Sequence, residues 1–340
     1  MKTPKILSTL AALALAQGSL FAANTDPVGF VSVTALANSD VTLSVPMTRT
    51  AEFKGLISAI SATTGTVTIT VGPTSPNWTT TPSQQFAPGV TNGKTYAVKL
   101  ATGAKEGLIL PVVGNGTSTL IVTVNAADDL TDVLVGDSID VMPYWSLGSL
   151  FSSLTATSSV EIQYYPTNSP GINSSPVLIY ELAGTNWLNQ DSGLNSNDIP
   201  LPFGTSYLAR NNNPSPVTFT FLGAVPMSKH RSLLQNLSAG QQQDIRVGYT
   251  APVPQTVGSI AIGQTPGDEL HIYNNNVAGQ NKSPTQILEY TVGGWLDQDS
   301  GLNVSTTLFL QPGQGYLLRR SASNSTTPYV WTALPSYLAP

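Results

Sequence analysis

The sequence predicts an all-β protein made of tandem small β-sandwich or barrel-like modules with little helix. Charged residues are only 10% of the 340, against about 25% in an average domain, so few positions can supply the Lys, Glu and Arg of a solvated helix face. Glycine (29) and proline (25) are plentiful and mark many turns. The apolar 41% suffices for real cores and falls in short runs, some alternating with Thr, as half-buried strands do.

Residues 1–23 read as a secretory signal peptide. Met1-Lys2-Thr3-Pro4-Lys5 is a short positive start, Ile6 to Ala16 is apolar, and small residues lead to cleavage after Ala22 or Ala23. The stretch is too short and wrongly flanked for a membrane span. The mature chain then begins near Asn24, with no transmembrane segment, and is expected to be exported to the periplasm, the cell surface or the extracellular space. Absence of cysteine excludes disulfides, thiolate metal sites and a lipid-modified cysteine anchor. The net charge of −5, with no basic cluster, argues against nucleic acid as a partner.

Residues 24–135 are expected to form an N-terminal β-domain. Thr66 to Val71 alternates Thr with apolar residues, and Leu108 to Val113 and Leu120 to Val124 flank a Gly114-Asn115-Gly116 turn, a hairpin signature. Phe53 to Ile60 has room for one or two helical turns. Val45-Pro46-Met47-Thr48-Arg49 echoes Val225-Pro226-Met227-Ser228-Lys229, and Gly93 to Lys99 echoes Gly204 to Arg210, so this domain is either a loose third copy of the C-terminal modules or merely similar to them.

The remainder contains an internal repeat. Trp187-Leu188-Asn189-Gln190-Asp191-Ser192-Gly193-Leu194-Asn195 recurs as Trp295-Leu296-Asp297-Gln298-Asp299-Ser300-Gly301-Leu302-Asn303. At the same spacing Tyr165, Gly171, Asn173 and Glu181 meet Tyr273, Gly279, Asn281 and Glu289. One residue further on, Gly204, Tyr207 and Arg210 meet Gly313, Tyr316 and Arg319. Such drift is what loop insertions produce. One β-module is expected at 136–230 and its second copy at 245–340. Between them lies a linker, 231–244, and Ser228 to Leu237 could make a short helix there. Val177 to Leu182 and Gln286 to Thr291 read as equivalent strands, as do Tyr207 to Arg210 and Tyr316 to Arg319.

Asp297-Gln298-Asp299-Ser300-Gly301 resembles the front of a calcium loop, but that loop needs an oxygen ligand fifth, Gly sixth and Glu twelfth. Counting from Asp297 gives Gly301, Leu302 and Leu308, and the twelfth residue from Asn189 is Pro200. Turn chemistry accounts for the motif, and no metal or other cofactor is expected. Trp187 and Trp295 read as core residues of their modules, with sugar-stacking platforms as the alternative. Pro312-Gly313-Gln314-Gly315 is a turn before a strand and lacks the third glycine of a dinucleotide fingerprint. Neither His230 nor His271 recurs in the other copy, and no Gly-x-Ser-x-Gly elbow exists to pair with them. Repetition puts Glu181 and Glu289 on separate modules, against a glycosidase pair; each is expected to accept hydrogen bonds from its adjoining turn. No catalytic residues are assigned.

Thr25-Asp26-Pro27-Val28-Gly29-Phe30-Val31, with Ser44-Val45-Pro46, Gly136-Asp137-Ser138, Tyr144-Trp145 and the Trp repeats, resembles a family of uncharacterised secreted proteins occurring as paralogues in Verrucomicrobia-type bacteria. The Tyr290 to Trp295 hairpin followed by Pro312-Gly313-Gln314-Gly315-Tyr316 is similar to a wider pattern in bacterial secreted proteins; the first copy departs from it, with Phe203-Gly204 for Pro-Gly. Neither resemblance implies an activity. The expected role is that of a non-enzymatic structural or interaction protein of the cell exterior, its partners drawn from surface or matrix polysaccharides or proteins. The alternative is a glycan-binding protein using Trp187 and Trp295.

Overall fold

The computed structural model describes residues 26–339 except 74–75, 79–84, 89–92, 126–129, 155–158, 166–169, 235–236, 264, 325 and 327. The segment read as a signal peptide, 1–23, lies outside the described residues. The protein is all-β, with several sheets and a six-stranded barrel.

Strands β1 (Val28–Ala35) and β2 (Ser39–Ser44) come first, then six that close a barrel: β3 (Phe53–Thr63), β4 (Thr66–Gly72), β5 (Tyr96–Leu100), β6 (Ile109–Asn115), β7 (Thr119–Thr123) and β8 (Ser138–Pro143). After the barrel come β9 (Trp145–Ser146), the four-residue helix α1 (Leu147–Leu150), β10 (Val160–Tyr164), β11 (Leu178–Ala183), β12 (Asn186–Asn189), β13 (Pro200–Leu201), β14 (Ser206–Asn211) and β15 (Val217–Ala224). The last group is β16 (His230–Leu234), β17 (Gln243–Gly248), β18 (Gln255–Thr256), β19 (Glu269–Ile272), β20 (Gln286–Thr291), β21 (Gly294–Asp297), β22 (Phe309–Leu310), β23 (Gly315–Arg320) and β24 (Tyr329–Ala333).

Period-two patterning builds the barrel. In β4, Val67, Ile69 and Val71 are buried while Thr66, Thr68 and Thr70 face outward. The interior is filled by these residues with Leu110, Leu120, Val122, Ile139 and Val141, and by an edge-to-face series Phe53–Trp78–Phe86–Tyr96 with centroids 4.9, 5.1 and 4.9 Å apart. Apolar side chains thus point into the barrel and hydroxyls out.

Pairing places the module boundaries differently from the expected 24–135, 136–230 and 245–340. β1 pairs with β15 and β2 with β14, while β16 pairs with β24 and β17 with β23. The first five-stranded sheet runs β12-β11-β10-β14-β2, and the second runs β21-β20-β19-β23-β17. Each module is therefore opened by a strand pair that its final strands cover. In the first module the barrel is inserted between β2 and β9. Residues 24–135 do not form one domain, and the closed barrel does not share the open-sheet order of the modules.

Two helix expectations are corrected. Phe53 to Ile60 lies in β3, hydrogen-bonded to β4 and β8, with Ile57 buried and Leu56 46% exposed; ladders on both edges outweigh weak local propensity. The described residues of the expected linker, 231–244, are not helical. His230 to Leu234 form β16, which pairs residue for residue with Tyr329 to Ala333, although Leu233, Leu234 and Leu237 have helical spacing.

Candidate functional site

Both repeated tryptophans lie in hairpin strands at the same register. Leu182 faces Trp187 in the first module, and Tyr290 faces Trp295 in the second. Trp187 is 1% exposed and Trp295 2%. They pack against Phe151 (5.5 Å) and Tyr290 (5.3 Å) respectively. Rings this buried have no free face for a sugar, so the stacking-platform assignment of Trp187 and Trp295 does not hold.

The turns after them use the motif's oxygens internally. Asn189 Oδ1 accepts from the backbone N–H of Asp191 and Ser192, and Asp297 Oδ1 from those of Asp299 and Ser300. Gly193 and Gly301 both take φ +69°, a conformation that favours glycine. The donors expected for Glu181 and Glu289 thus go elsewhere: Glu181 stands opposite Glu161 and Glu289 opposite Glu269.

The histidines have partners but no complete relay among the described residues. His230 Nε2 lies 2.7 Å from Ser232 Oγ, while its buried Nδ1 has no partner. Burial, with some help from the Lys99 charge, pushes its pKa down to about 3, so the ring is neutral and a weak base near neutral pH. His271 Nε2 lies 2.9 Å from Glu269, and no described hydroxyl bonds its other nitrogen. A further charged pair, Lys99 opposite Asp140 in β5 and β8, lines a cavity of about 90 Å³ between barrel and first module. Burial lowers the Lys99 pKa and raises that of Asp140.

Among the described residues, a cluster of paired charge sits where the two modules meet, arranged with near two-fold symmetry. Asp40 in β2 accepts from Arg210 Nε at 2.8 Å and Nη2 at 3.0 Å. Asp244 in β17 accepts from Arg319 at 2.8 and 3.2 Å in the same way. Each carboxylate also takes a backbone N–H from the opposite module: Asn281 to Asp40 at 2.6 Å, Asn173 to Asp244 at 2.8 Å. The asparagine side chains then accept from the arginines, Asn281 from Arg210 at 2.7 Å and Asn173 from Arg319 at 3.2 Å. Asn173 and Asn281 are left-handed, at φ 55° and 52°, a conformation that Asn tolerates better than most residues. Below this clasp Ser44 N–H reaches Gly313 O and Gly248 N–H reaches Gly204 O, each at 2.8 Å. Arg210, Arg319, Asn173 and Asn281 recur visibly in the sequence; their acidic partners do not, because the barrel separates Asp40 from its module.

One side of this seam holds a cavity of about 170 Å³ lined by Tyr165, Asn173, Arg246, His271, Tyr273 and Leu317, among others. The Arg246 guanidinium carbon stands 4.1 Å from the Tyr165 ring centroid and 5.9 Å from that of Tyr273. Burial raises the pKa of both phenols, which keeps them protonated donors. The repeat marks Tyr165, Tyr273 and Asn173 of this lining in the sequence, but Arg246 stands in no motif.

In comparisons with protein-family models, curated proteins and solved structures, nothing matched this chain.

Proposed function

We propose that this chain is an exported, non-catalytic structural or interaction protein of the cell exterior, built from two copies of one β-module with a small barrel inserted in the first. The observation that supports this most is the inter-module clasp: Asp40, Arg210, Asp244 and Arg319 are spent on one another and on the Asn173 and Asn281 amides, which is structural rather than catalytic use of charge. The histidines offer little for catalysis, His230 being neutral with an unpartnered Nδ1 and His271 bonded to a carboxylate with no described hydroxyl beside it. Partners of this reading are surface or matrix polysaccharides or proteins, met through a hydroxyl- and amide-rich surface whose hydrogen bonds salt screens little. Fractionation of the native host with N-terminal mass spectrometry tests export. The expected result is a chain starting near Asn24 in the periplasmic, surface or culture fraction; an intact Met1 terminus in the cytoplasm would refute it.

A further inference from the structure

We propose that the seam cavity is a binding site for a small carboxylate, with Arg246 as its principal ligand. The two modules act as internal controls for one another. Across the first sheet the row Thr42–Leu208–Gln163 runs from β2 through β14 to β10. The equivalent row in the second sheet is Arg246–Leu317–His271. Leucine occupies the middle of both rows, and the Asp–Arg–Asn clasp stands beside both. What holds the modules together is therefore present on each side without Arg246, and the guanidinium is an addition to the second side alone.

That guanidinium is unspent. It makes no ion pair and no hydrogen bond among the described residues, and its Nε is buried without an acceptor. Asp244 and Glu269, the nearby carboxylates, are engaged by Arg319 and His271. Tyr165 stacks on the guanidinium and Nε is enclosed, so the terminal Nη pair is the fork offered to a planar acceptor. A carboxylate matches that fork, whereas a tetrahedral oxyanion meets it as a charge without the same planar fit. Tyr273 brings a phenol donor to the same cavity, while the Tyr165 hydroxyl is given to Gln163 Oε1 at 3.3 Å and its ring serves as the stacking surface; Leu317 and Pro284 add an apolar wall. Water takes about 30 Å³ per molecule in the liquid, so a cavity of about 170 Å³ has room for a carboxylate and a few atoms beyond it.

Isothermal titration of the mature chain with acetate, D-glucuronate, N-acetylalanine and inorganic phosphate tests this. Saturable binding of at least one carboxylate is expected, and comparing glucuronate with N-acetylalanine tells whether the carboxylate is carried by a sugar or by a peptide end. Arg246→Gln should weaken it about tenfold to a hundredfold, the scale of a lost charged hydrogen bond. Arg246→Lys should retain only part, because a point charge does not reproduce the fork. Both variants should melt close to the parent, since the clasp is untouched. Carboxylate binding unchanged in Arg246→Gln, phosphate binding alone, or no saturable binding by the parent would each overturn the proposal.

Discussion

Replacing Asp40 by alanine probes the clasp directly. The Asp40 side chain is 3% exposed and Arg210 19%, so the pair is shielded, and Asp40 also accepts the Asn281 N–H. The substitution removes one carboxylate and with it the acceptor of three donors, Arg210 Nε, Arg210 Nη2 and the Asn281 N–H. Breaking such a buried pair from one side costs about 3–5 kcal/mol, against about 0–1 kcal/mol for an exposed pair. Urea unfolding of parent and variant, followed by tryptophan fluorescence, measures the difference. Asp244→Ala should cost a similar amount, because it removes the symmetry-related half. The double variant should cost less than the sum, since both substitutions open one seam and neighbouring sites do not add. A loss below about 1 kcal/mol for Asp40→Ala would mean the clasp is no stronger than a surface ion pair, and the reading of the seam as the element joining the modules would fall.

Trp187→Ala and Trp295→Ala should each destabilise the chain by about 3–5 kcal/mol, the scale of a truncated core aromatic; unfolding midpoints close to the parent would refute their core role. His230 adds a pH dependence whose sign is set by its folded pKa of about 3 lying below the ordinary 6.5. The unfolded chain takes up a proton below about pH 6.5 that the folded chain refuses until near pH 3, so stability falls with acidification by up to about 1.4 kcal/mol per unit. His230→Phe, still packed against Phe203 and Trp331, should lose that slope; parallel stability curves for the two chains from pH 7 to 4 would show that the ring is not held neutral.

The sequence alone determined what depends on neighbours along the chain. Alternation of Thr with Val and Ile specified β4, glycines and an Asx-type side chain specified the turns after Trp187 and Trp295, and the nine-residue recurrence marked equivalent hairpins. These features are legible because strand period and turn chemistry act over a few residues. Tertiary structure decided what depends on which edges meet. Asp40 finds Arg210 across 170 positions, a pairing no local pattern announces, and the inserted barrel hides the first module's opening strands. Partner strands made β3 extended where there was room for a helical turn or two, and β16 extended where leucine spacing allowed a helix. Arg246 sits in no motif at all: it became a candidate ligand only when folding stacked it on Tyr165 of the first module, with Tyr273 of the second near by, and gave it no carboxylate of its own.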